Sequence, residues 1–213
     1  MVVKLLTKGA EADLILDDDW NGRKVLIKRR VVKNYRHKEI DRELRKLRTV
    51  HEAAILHRAK EAGVSTPLIY LIDPANAEII MEYMDGVKVR DLVSKLSEEE
   101  CRSLFKLIGR MAGYLHLAGI IHGDLTTSNM IKMRDRVVFI DCGLGEVSSE
   151  SEKRGVDVNL MRRMLSSTHY EVQELLQTAF DEGYRDTMGL EAEEVFQRVE
   201  EIKRRGRYVD KES

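Results

Sequence analysis

The stretch IIHGDLTTSNM, residues 120–130, decides the fold of this 213-residue chain. Its apolar start leads directly into a polar turn with Asp124 and Asn129, and a further acid, Asp141, follows the apolar run VVFI. Oxygen ligands at the ends of apolar segments suit a divalent cation that holds a phosphate, and a second carboxylate can orient an attacking hydroxyl. The sequence therefore predicts phosphoryl chemistry in a cleft.

The spacing of these polar residues is that of protein kinases. The pattern H-G-D-x-x-x-x-N is followed, twelve residues after its asparagine, by D-x-G, as in the kinase catalytic and metal loops. Upstream, VLIK ends in Lys28 on the third predicted strand, where kinases keep the lysine for the α- and β-phosphates. The strand IIMEYM, residues 79–84, leads to a polar linker and suits the presentation of backbone groups to adenine. These parts occur in the kinase order.

The distribution of strand and helix patterns predicts an α+β fold with two lobes and a cleft between them. Residues 38–61 lack Gly and Pro and space Leu44, Leu47, Ile55 and Leu56 as a helix does. Ser97 and Glu100 form a predicted capping box, and Gly119 ends that helix. Strands are predicted at 2–6, 12–16, 23–31, 68–73, 77–84, 130–133 and 136–140, and three later helices from about 156, 168 and 191. The expected divisions are an amino-terminal lobe (1–84), a helical lobe (85–202) and a basic tail (203–213).

Composition narrows the functional classes further. Hydrophobic residues make up 43% and charged residues 34%, no apolar run is long enough to cross a bilayer, and the start of the chain lacks a signal-peptide pattern. Two cysteines, Cys101 and Cys142, form neither a disulfide framework nor a zinc spacing. We therefore expect a cytoplasmic protein without a membrane partner.

Two clusters of basic residues stand out against a net charge of −1. The segment from Arg23 to Arg48 contains twelve Lys or Arg residues and only three acids. The segment KRRGRYVDK (203–211) adds five more basic residues. Such clusters favour a polyanion or an acidic partner surface, while solvated helix faces and a frayed terminus are the alternatives.

A carboxylate of the 38–61 helix is expected to pair with Lys28 across the cleft. Glu52 is favoured because it lies among apolar residues, and Glu43 is the alternative because it is nearer in sequence. A solvated charge without this role is the further alternative for either residue. As an exposed pair it would contribute only about 0–1 kcal/mol, so its loss should affect nucleotide positioning more than stability.

Several features depart from common protein kinases. The nucleotide loop TKGAEADL has one glycine instead of three, and Gly123 stands where an arginine usually precedes the catalytic aspartate. Only about 15 residues separate Asp141 from the next predicted helix, and they contain no A-P-E segment. Broad phosphorylation of protein substrates is therefore not expected.

This combination resembles the small atypical kinase subunit of the KEOPS (EKC) complex over nearly the whole chain. The matching segments are KGAEA (8–12), RELRKLRTVHEA (42–53), HGDLTTSNM (122–130), DCGLG (141–145), DVNLMRRML (157–165) and RRGRY (204–208).

The resemblance implies a two-lobed kinase fold with a shortened activation segment, the use of ATP and Mg, and assembly with an ATPase-fold threonylcarbamoyl-transferase subunit and other KEOPS subunits that modify tRNA. It implies that Asp124 is the catalytic acid or base and that Asp157 braces the catalytic loop. Arg204, Arg205 and Arg207 could then contact tRNA phosphates or an acidic partner surface. The expected catalytic residues are Asp124, Lys28 and Asn129, and the expected metal ligands are Asn129 and Asp141. The expected ATP-binding residues are Gly9, Ala10, Glu11, Lys28, Glu52, Met81, Glu82, Met84 and Asp141.

Three other functions remain open at this stage. A small-molecule kinase also carries an H-G-D loop but usually has a longer insert before it. A RIO-type kinase is closer, although DCGLG and RTVHEA fit it poorly. A nucleotide-binding scaffold without turnover would have no need of the metal ligands.

Overall fold

The computed structural model describes residues 3–209, with side chains through Arg205. The elements of its amino-terminal lobe are β1 (Val3–Lys8), β2 (Ala12–Trp20), β3 (Arg23–Arg30), α1 (Lys38–Glu61), β4 (Ile69–Asp73) and β5 (Glu78–Glu82). The strands form an antiparallel sheet in the order β1-β2-β3-β5-β4, and helix α1 connects β3 to β4. The predicted α+β architecture of two lobes is confirmed.

Helix α1 joins the two lobes through one buried face. Glu52 and Ala53 are buried on the side of the sheet, and Ala53 packs with Ile79 and Met81. Ile55 and Leu56, one turn further on, belong to the large core of the other lobe. Because one helix contributes to both cores, its position sets the geometry of the cleft.

The carboxy-terminal lobe is mainly helical. Its helices are α2 (Val89–Leu92), α3 (Glu98–Leu117), α4 (Ser151–Thr168), α5 (Gln173–Met188) and α6 (Glu191–Val209). Its short strands are β6 (Val87–Lys88), β7 (Ile120–Ile121), β8 (Met130–Lys132), β9 (Val137–Phe139) and β10 (Glu146–Val147).

Helix α3 begins with the predicted capping box, in which the backbone N–H of Ser97 donates to Glu100 over 2.8 Å, and it ends before Gly119, whose φ is +68°. Helices α3 and α5 pack closely, since a Cβ at Gly109 would lie 2.1 Å from the Phe180 carbonyl oxygen.

Two predicted helix starts are wrong. Helix α4 begins at Ser151 instead of near 156, because Gly155 lies inside the helix and does not end it. A Cβ at Gly155 would lie 2.9 Å from the Cβ of Arg198, so this glycine lets α4 and α6 approach each other. Helix α5 begins at 173 instead of near 168, after a short turn of 3₁₀ helix.

The segment between Asp141 and α4 is even shorter than predicted, since it spans residues 142–150. Within it, β10 pairs antiparallel with β7, which leads into the catalytic loop. The ring of His51 on α1 also contacts the Gly145 carbonyl oxygen through Nε2 at 2.6 Å. The segment is therefore held against both lobes. Among residues 3–209, no helix is both long and apolar enough to cross a membrane.

Candidate active site

Lys28 and Glu52 form the predicted ion pair between β3 and α1. Lys28 Nζ lies 2.5 Å from Glu52 Oε1, so the expected pairing is confirmed and the alternative partner is not used. Glu43 is exposed and lies near Arg42 and Lys46 instead. The expectation of an exposed pair is wrong, because the Glu52 side chain is fully buried.

Arg30 is a second cation on Glu52 and was missed in the sequence. Its Nη2 donates to Glu52 Oε2 over 2.5 Å, so the buried carboxylate binds two cations, one on each oxygen. Lys28 and Arg30 are alternate residues of β3 and therefore point to the same face of the strand. That alternation was the available signal, but only the fold shows which helix carboxylate lies opposite.

Asp141 completes a charged cluster with Lys28 and Glu52 in the cleft. Its Oδ2 lies 2.9 Å from Lys28 Nζ, and its Oδ1 accepts the backbone N–H of Gly143 over 2.9 Å. Burial disfavours the carboxylate, but the Lys28 ammonium and the Gly143 N–H outweigh it and hold the pKa of Asp141 below its ordinary value. For Lys28, burial is likewise outweighed, by Glu52 and Asp141, so that the pKa of this ammonium is raised. Lys28 and Asp141 are therefore charged at neutral pH, whereas burial raises the pKa of Glu52 in spite of its two cationic partners.

Asp124 and Asn129 are joined within the catalytic loop. The amide Nδ2 of Asn129 donates to Asp124 Oδ2 over 2.8 Å and to the Asp124 carbonyl oxygen over 3.0 Å. With its nitrogen used in this way, the amide presents its oxygen as a hard ligand, and together with the Asp141 carboxylate it fits the oxygen preference of Mg²⁺. The donor set agrees with the predicted cation.

Asp157 on α4 fixes the backbone of the same loop. Its two carboxylate oxygens accept the N–H of His122 over 2.6 Å and that of Gly123 over 2.9 Å. His116 Nε2, whose own ring is bonded to Tyr184, approaches Asp157 Oδ2 at 3.3 Å. These contacts are those that the family resemblance implies for this aspartate.

Gly123 has a conformation that explains the missing arginine before Asp124. Its φ is +78°, and a Cβ at this position would lie 2.2 Å from the Leu144 carbonyl oxygen. Any larger residue would be strained and would collide with the loop after Asp141. The catalytic and metal loops are thus packed backbone against backbone.

Two adjoining cavities, each of about 310 Å³, occupy the cleft. The first is mostly apolar and is lined by Met81, Glu82 and Met84 of the predicted adenine strand, and also by Asn129 and Asp141. The second is strongly charged. Its charged lining residues are Glu11, Lys28, Arg30, Arg48, Asp124 and Asp141.

The nucleotide loop contributes to the charged cavity through Gly9 and Glu11. A Cβ at Gly9 would lie 2.4 Å from the Ala12 carbonyl oxygen, so the single glycine of this loop is required by its tight turn. Of the described residues predicted to bind ATP, Ala10 and Glu52 line neither cavity. The Ala10 carbonyl oxygen accepts from Lys33, and Glu52 lies behind Lys28.

The basic tail begins inside α6. Arg205 pairs with Glu152 at 2.5 Å and Lys203 with Glu200 at 2.9 Å, so part of its charge is already compensated within the lobe. The Arg207 side chain lies outside the described side chains, and residues 210–213 lie outside the described chain.

Residues 17–187 match the protein kinase domain family, and the chain belongs to it. Within that class it is 42% identical to KEOPS complex subunit Bud32 of Pyrococcus abyssi, with 98% of both chains aligned. It is 43% identical to the probable serine/threonine-protein kinase BUD32 homolog of Archaeoglobus fulgidus, over 89% of this chain and 91% of that one. The chain is therefore a member of the Bud32 family of atypical kinases.

Longer relatives contain a region similar to this chain. A probable bifunctional tRNA threonylcarbamoyladenosine biosynthesis protein of Methanosarcina barkeri is 43% identical over 97% of this chain, which covers 36% of that protein. This chain thus spans about a third of the bifunctional relative.

Solved structures agree on the fold. The Rio2 kinase–ADP/Mg²⁺–phosphoaspartate complex from Chaetomium thermophilum superposes with a TM-score of 0.65 over 92% of this chain and 70% of that one. Sequence identity is 16%, so the likeness concerns the fold alone. The predicted kinase-like fold is confirmed.

Proposed function

We propose that this chain is a Mg-ATP-dependent atypical kinase or ATPase, and that it acts in the cytoplasm as the kinase subunit of a KEOPS complex in tRNA threonylcarbamoyladenosine synthesis. One observation carries the enzymatic part: Lys28 bridges Glu52 and Asp141 on the wall of the cavity that Asp124 also lines. A scaffold without turnover has no physical need for this arrangement of charges.

In this proposal Lys28 binds the phosphates of ATP. Glu52 holds its ammonium from the helix side and Asp141 takes a second donor, which leaves the third N–H to reach into the cavity. Arg30 keeps Glu52 in place from the other oxygen, so that the position of Lys28 depends on the seating of α1. Met81 and Met84 supply apolar contacts for the base.

Asp124 orients the acceptor hydroxyl or water and takes its proton. Asn129 restrains the Asp124 carboxylate, and Asp157 restrains the backbone on which it is mounted. The Asn129 oxygen and the Asp141 carboxylate are the proposed metal ligands. When bound there, Mg²⁺ would neutralise phosphate charge, which is its usual contribution to phosphoryl transfer.

The phosphoryl acceptor is proposed to be water or a group offered by a partner subunit. An extended peptide requires a long segment after the metal loop on which to lie. Here residues 142–150 are paired to β7 and bonded to His51, which leaves no such platform. ATP hydrolysis within an assembly is therefore favoured over phosphorylation of many proteins.

The KEOPS part of the proposal is supported by the full-length likeness to P. abyssi Bud32 and by the bifunctional relatives named for tRNA threonylcarbamoyladenosine synthesis. We propose an ATPase-fold threonylcarbamoyl-transferase as the direct partner, with the basic end of α6 directed to that partner or to tRNA.

The test has two stages. Purified chain is assayed for ATP turnover with and without Mg²⁺, beside Asp124→Asn and a matched control, Asp135→Asn, which changes an exposed turn residue. The ATPase-fold partner and tRNA are then added, and threonylcarbamoyladenosine is measured. We expect Mg-dependent turnover that only Asp124→Asn abolishes, and modified tRNA only with active chain. Modified tRNA at the normal level with Asp124→Asn would reduce the role of the chain to a scaffold.

A further inference from the structure

Arg48 lies on the cleft side of α1, one turn before Glu52. Residues four apart on a helix share a face, so Arg48 follows the same line toward the cavity as the carboxylate that holds Lys28. It lines the charged cavity together with Lys28, Asp124 and Asp141, and its side chain is 32% exposed. A guanidinium therefore stands at the phosphate end of the cleft, outside the set of residues assigned above.

The other two cations of this cavity are firmly held. Lys28 has Glu52 and Asp141 as partners. Arg30 donates to Glu52 and to the Arg48 carbonyl oxygen and is almost completely buried. Arg48 instead pairs at 2.7 Å with Glu11, a carboxylate of the nucleotide loop that is 54% exposed. Of the three cations, Arg48 has the partner that is most easily replaced.

Glu11 can release Arg48 without losing its charge compensation. Lys33 Nζ lies 3.4 Å from the other Glu11 oxygen and is anchored to the Ala10 carbonyl oxygen at 2.6 Å. An exposed ion pair contributes little to stability, whereas a guanidinium binds a phosphate through two parallel, charge-assisted hydrogen bonds. A phosphate group in the cavity would therefore compete successfully with Glu11.

The composition of the nucleotide loop gives a reason for Arg48 to exchange Glu11 for a phosphate. Kinase loops cover the phosphates with three glycines, but this loop has only Gly9, so fewer backbone N–H groups can approach. We propose that Arg48 binds the terminal phosphate of ATP, and that Glu11 holds Arg48 in the nucleotide-free state and yields it on binding. The inference rests on the proposed use of ATP and adds a specific phosphate ligand to it.

The first experiment uses calorimetry to compare the binding of two ligands in the presence of Mg²⁺: a non-hydrolysable analogue of ATP, and ADP. For Arg48→Ala we expect affinity for the analogue to fall about 10- to 100-fold, while Mg-ADP affinity changes less than about threefold. Arg48→Lys should recover part of the loss. Arg42→Ala, on the same helix but 67% exposed and away from the cavity, should bind as wild type does. Every variant keeps the backbone carbonyl of residue 48, so the hydrogen bond from Arg30 to that oxygen is retained.

The second experiment separates a phosphate ligand from a simple clamp on the loop. Glu11→Gln removes the competitor, so it should tighten analogue binding a few-fold in wild type and have no effect in Arg48→Ala. If the pair only clamps the loop, Glu11→Gln and Arg48→Ala will weaken binding equally, and the inference is overturned. Unchanged binding by Arg48→Ala also overturns it.

A third variant keeps the two proposals apart. Lys28→Met should lose both nucleotides. If it does so while Arg48→Ala binds normally, nucleotide use stands and the role of Arg48 falls. If wild-type chain binds neither nucleotide with Mg²⁺, the proposed function itself is overturned, and the role of Arg48 with it.

Discussion

Glu52 in the amino-terminal lobe and Asp157 in the carboxy-terminal lobe are both buried carboxylates, but their partners differ. Glu52 is bound by two side-chain cations, Lys28 and Arg30. Asp157 is bound by the backbone N–H groups of His122 and Gly123. One carboxylate thus organises groups that can rotate, and the other fixes a stretch of main chain.

Because their partners differ, loss of Asp157 should mainly reduce stability, and loss of Glu52 should mainly reduce activity. A long side chain that loses its partner can turn toward water or another acid, as Lys28 can toward Asp141. A buried backbone N–H that loses its acceptor has no such freedom, and leaving it unpaired costs about 1–3 kcal/mol. The catalytic loop should therefore need Asp157 to keep its folded conformation, whereas the phosphate-binding lysine needs Glu52 only to keep its position.

The largest effect is expected for Asp157→Ala. The buried N–H of His122 and the part-buried N–H of Gly123 lose their acceptor, so the free energy of unfolding should fall by about 2–6 kcal/mol and turnover should be lost. Urea unfolding followed by circular dichroism measures the change. Asp186→Ala, which removes an exposed partner of Lys106 and Arg110, should cost only about 0–1 kcal/mol. Equal losses for the two variants would remove the bracing role of Asp157.

The metal ligands should show the opposite balance. Asp141→Ala and Asn129→Ala are expected to lose Mg-dependent turnover by at least about 100-fold while the cooperative unfolding transition is retained. Asp141 accepts one part-buried backbone N–H, whereas Asp157 accepts two, one of them buried. Asn76→Ala, an exposed turn residue bonded to Asp73, is the matched control. The readouts are ATP turnover and the rise in melting temperature on adding Mg-ATP. A folded Asn129→Ala with full turnover would contradict the metal assignment.

Glu52→Gln tests the other half of the comparison. The amide oxygen can still accept from one cation and Lys28 keeps Asp141, but the amide NH2 faces the other cation, so the free energy of unfolding should fall by about 1–3 kcal/mol. Turnover should nevertheless fall by about 100-fold, because Lys28 is no longer held toward the phosphates. Glu43→Gln on the exposed face of α1 should change neither quantity. If Glu52→Gln destabilised the chain as much as Asp157→Ala, the distinction between the two carboxylates would fail.

The smallest effect on chemistry is expected at the basic end of α6. Deleting 203–213 should leave ATP turnover near wild type and weaken association with tRNA or the partner subunit. Since residues 203–209 continue the helix, replacing Lys203, Arg204 and Arg205 by Gln is the sharper variant. Each lost phosphate contact should reduce the log–log salt slope by about 0.7 to 0.9. Collapse of turnover with intact association would assign this segment to the active site.

The sequence predicted those features that depend on local pattern. Helix α1 has the expected limits because residues 38–61 contain neither Gly nor Pro, and the catalytic and metal loops follow from fixed spacing. The apolar neighbours of Glu52 favour it over Glu43 as the partner of Lys28, and the same neighbours indicate that the pair is buried.

Features that depend on distant partners were not predictable. Arg30 and Arg48 look like ordinary members of a basic stretch until the fold brings them to Glu52 and Glu11. Gly155 looks like a helix end until α6 is seen to pack on it. In each case the deciding contact lies far away in the sequence, where periodicity carries no information.

The short segment after Asp141 has a consequence for control. The segment is held in one conformation, because β10 is paired to β7 and the Gly145 carbonyl oxygen is bonded to His51. Many signalling enzymes of this class are switched by covalent modification of a long loop at this point, which swings between two arrangements. A tethered loop offers no second arrangement to select. The rate of ATP turnover should instead be controlled by a partner protein that covers or uncovers the entrance of the cleft.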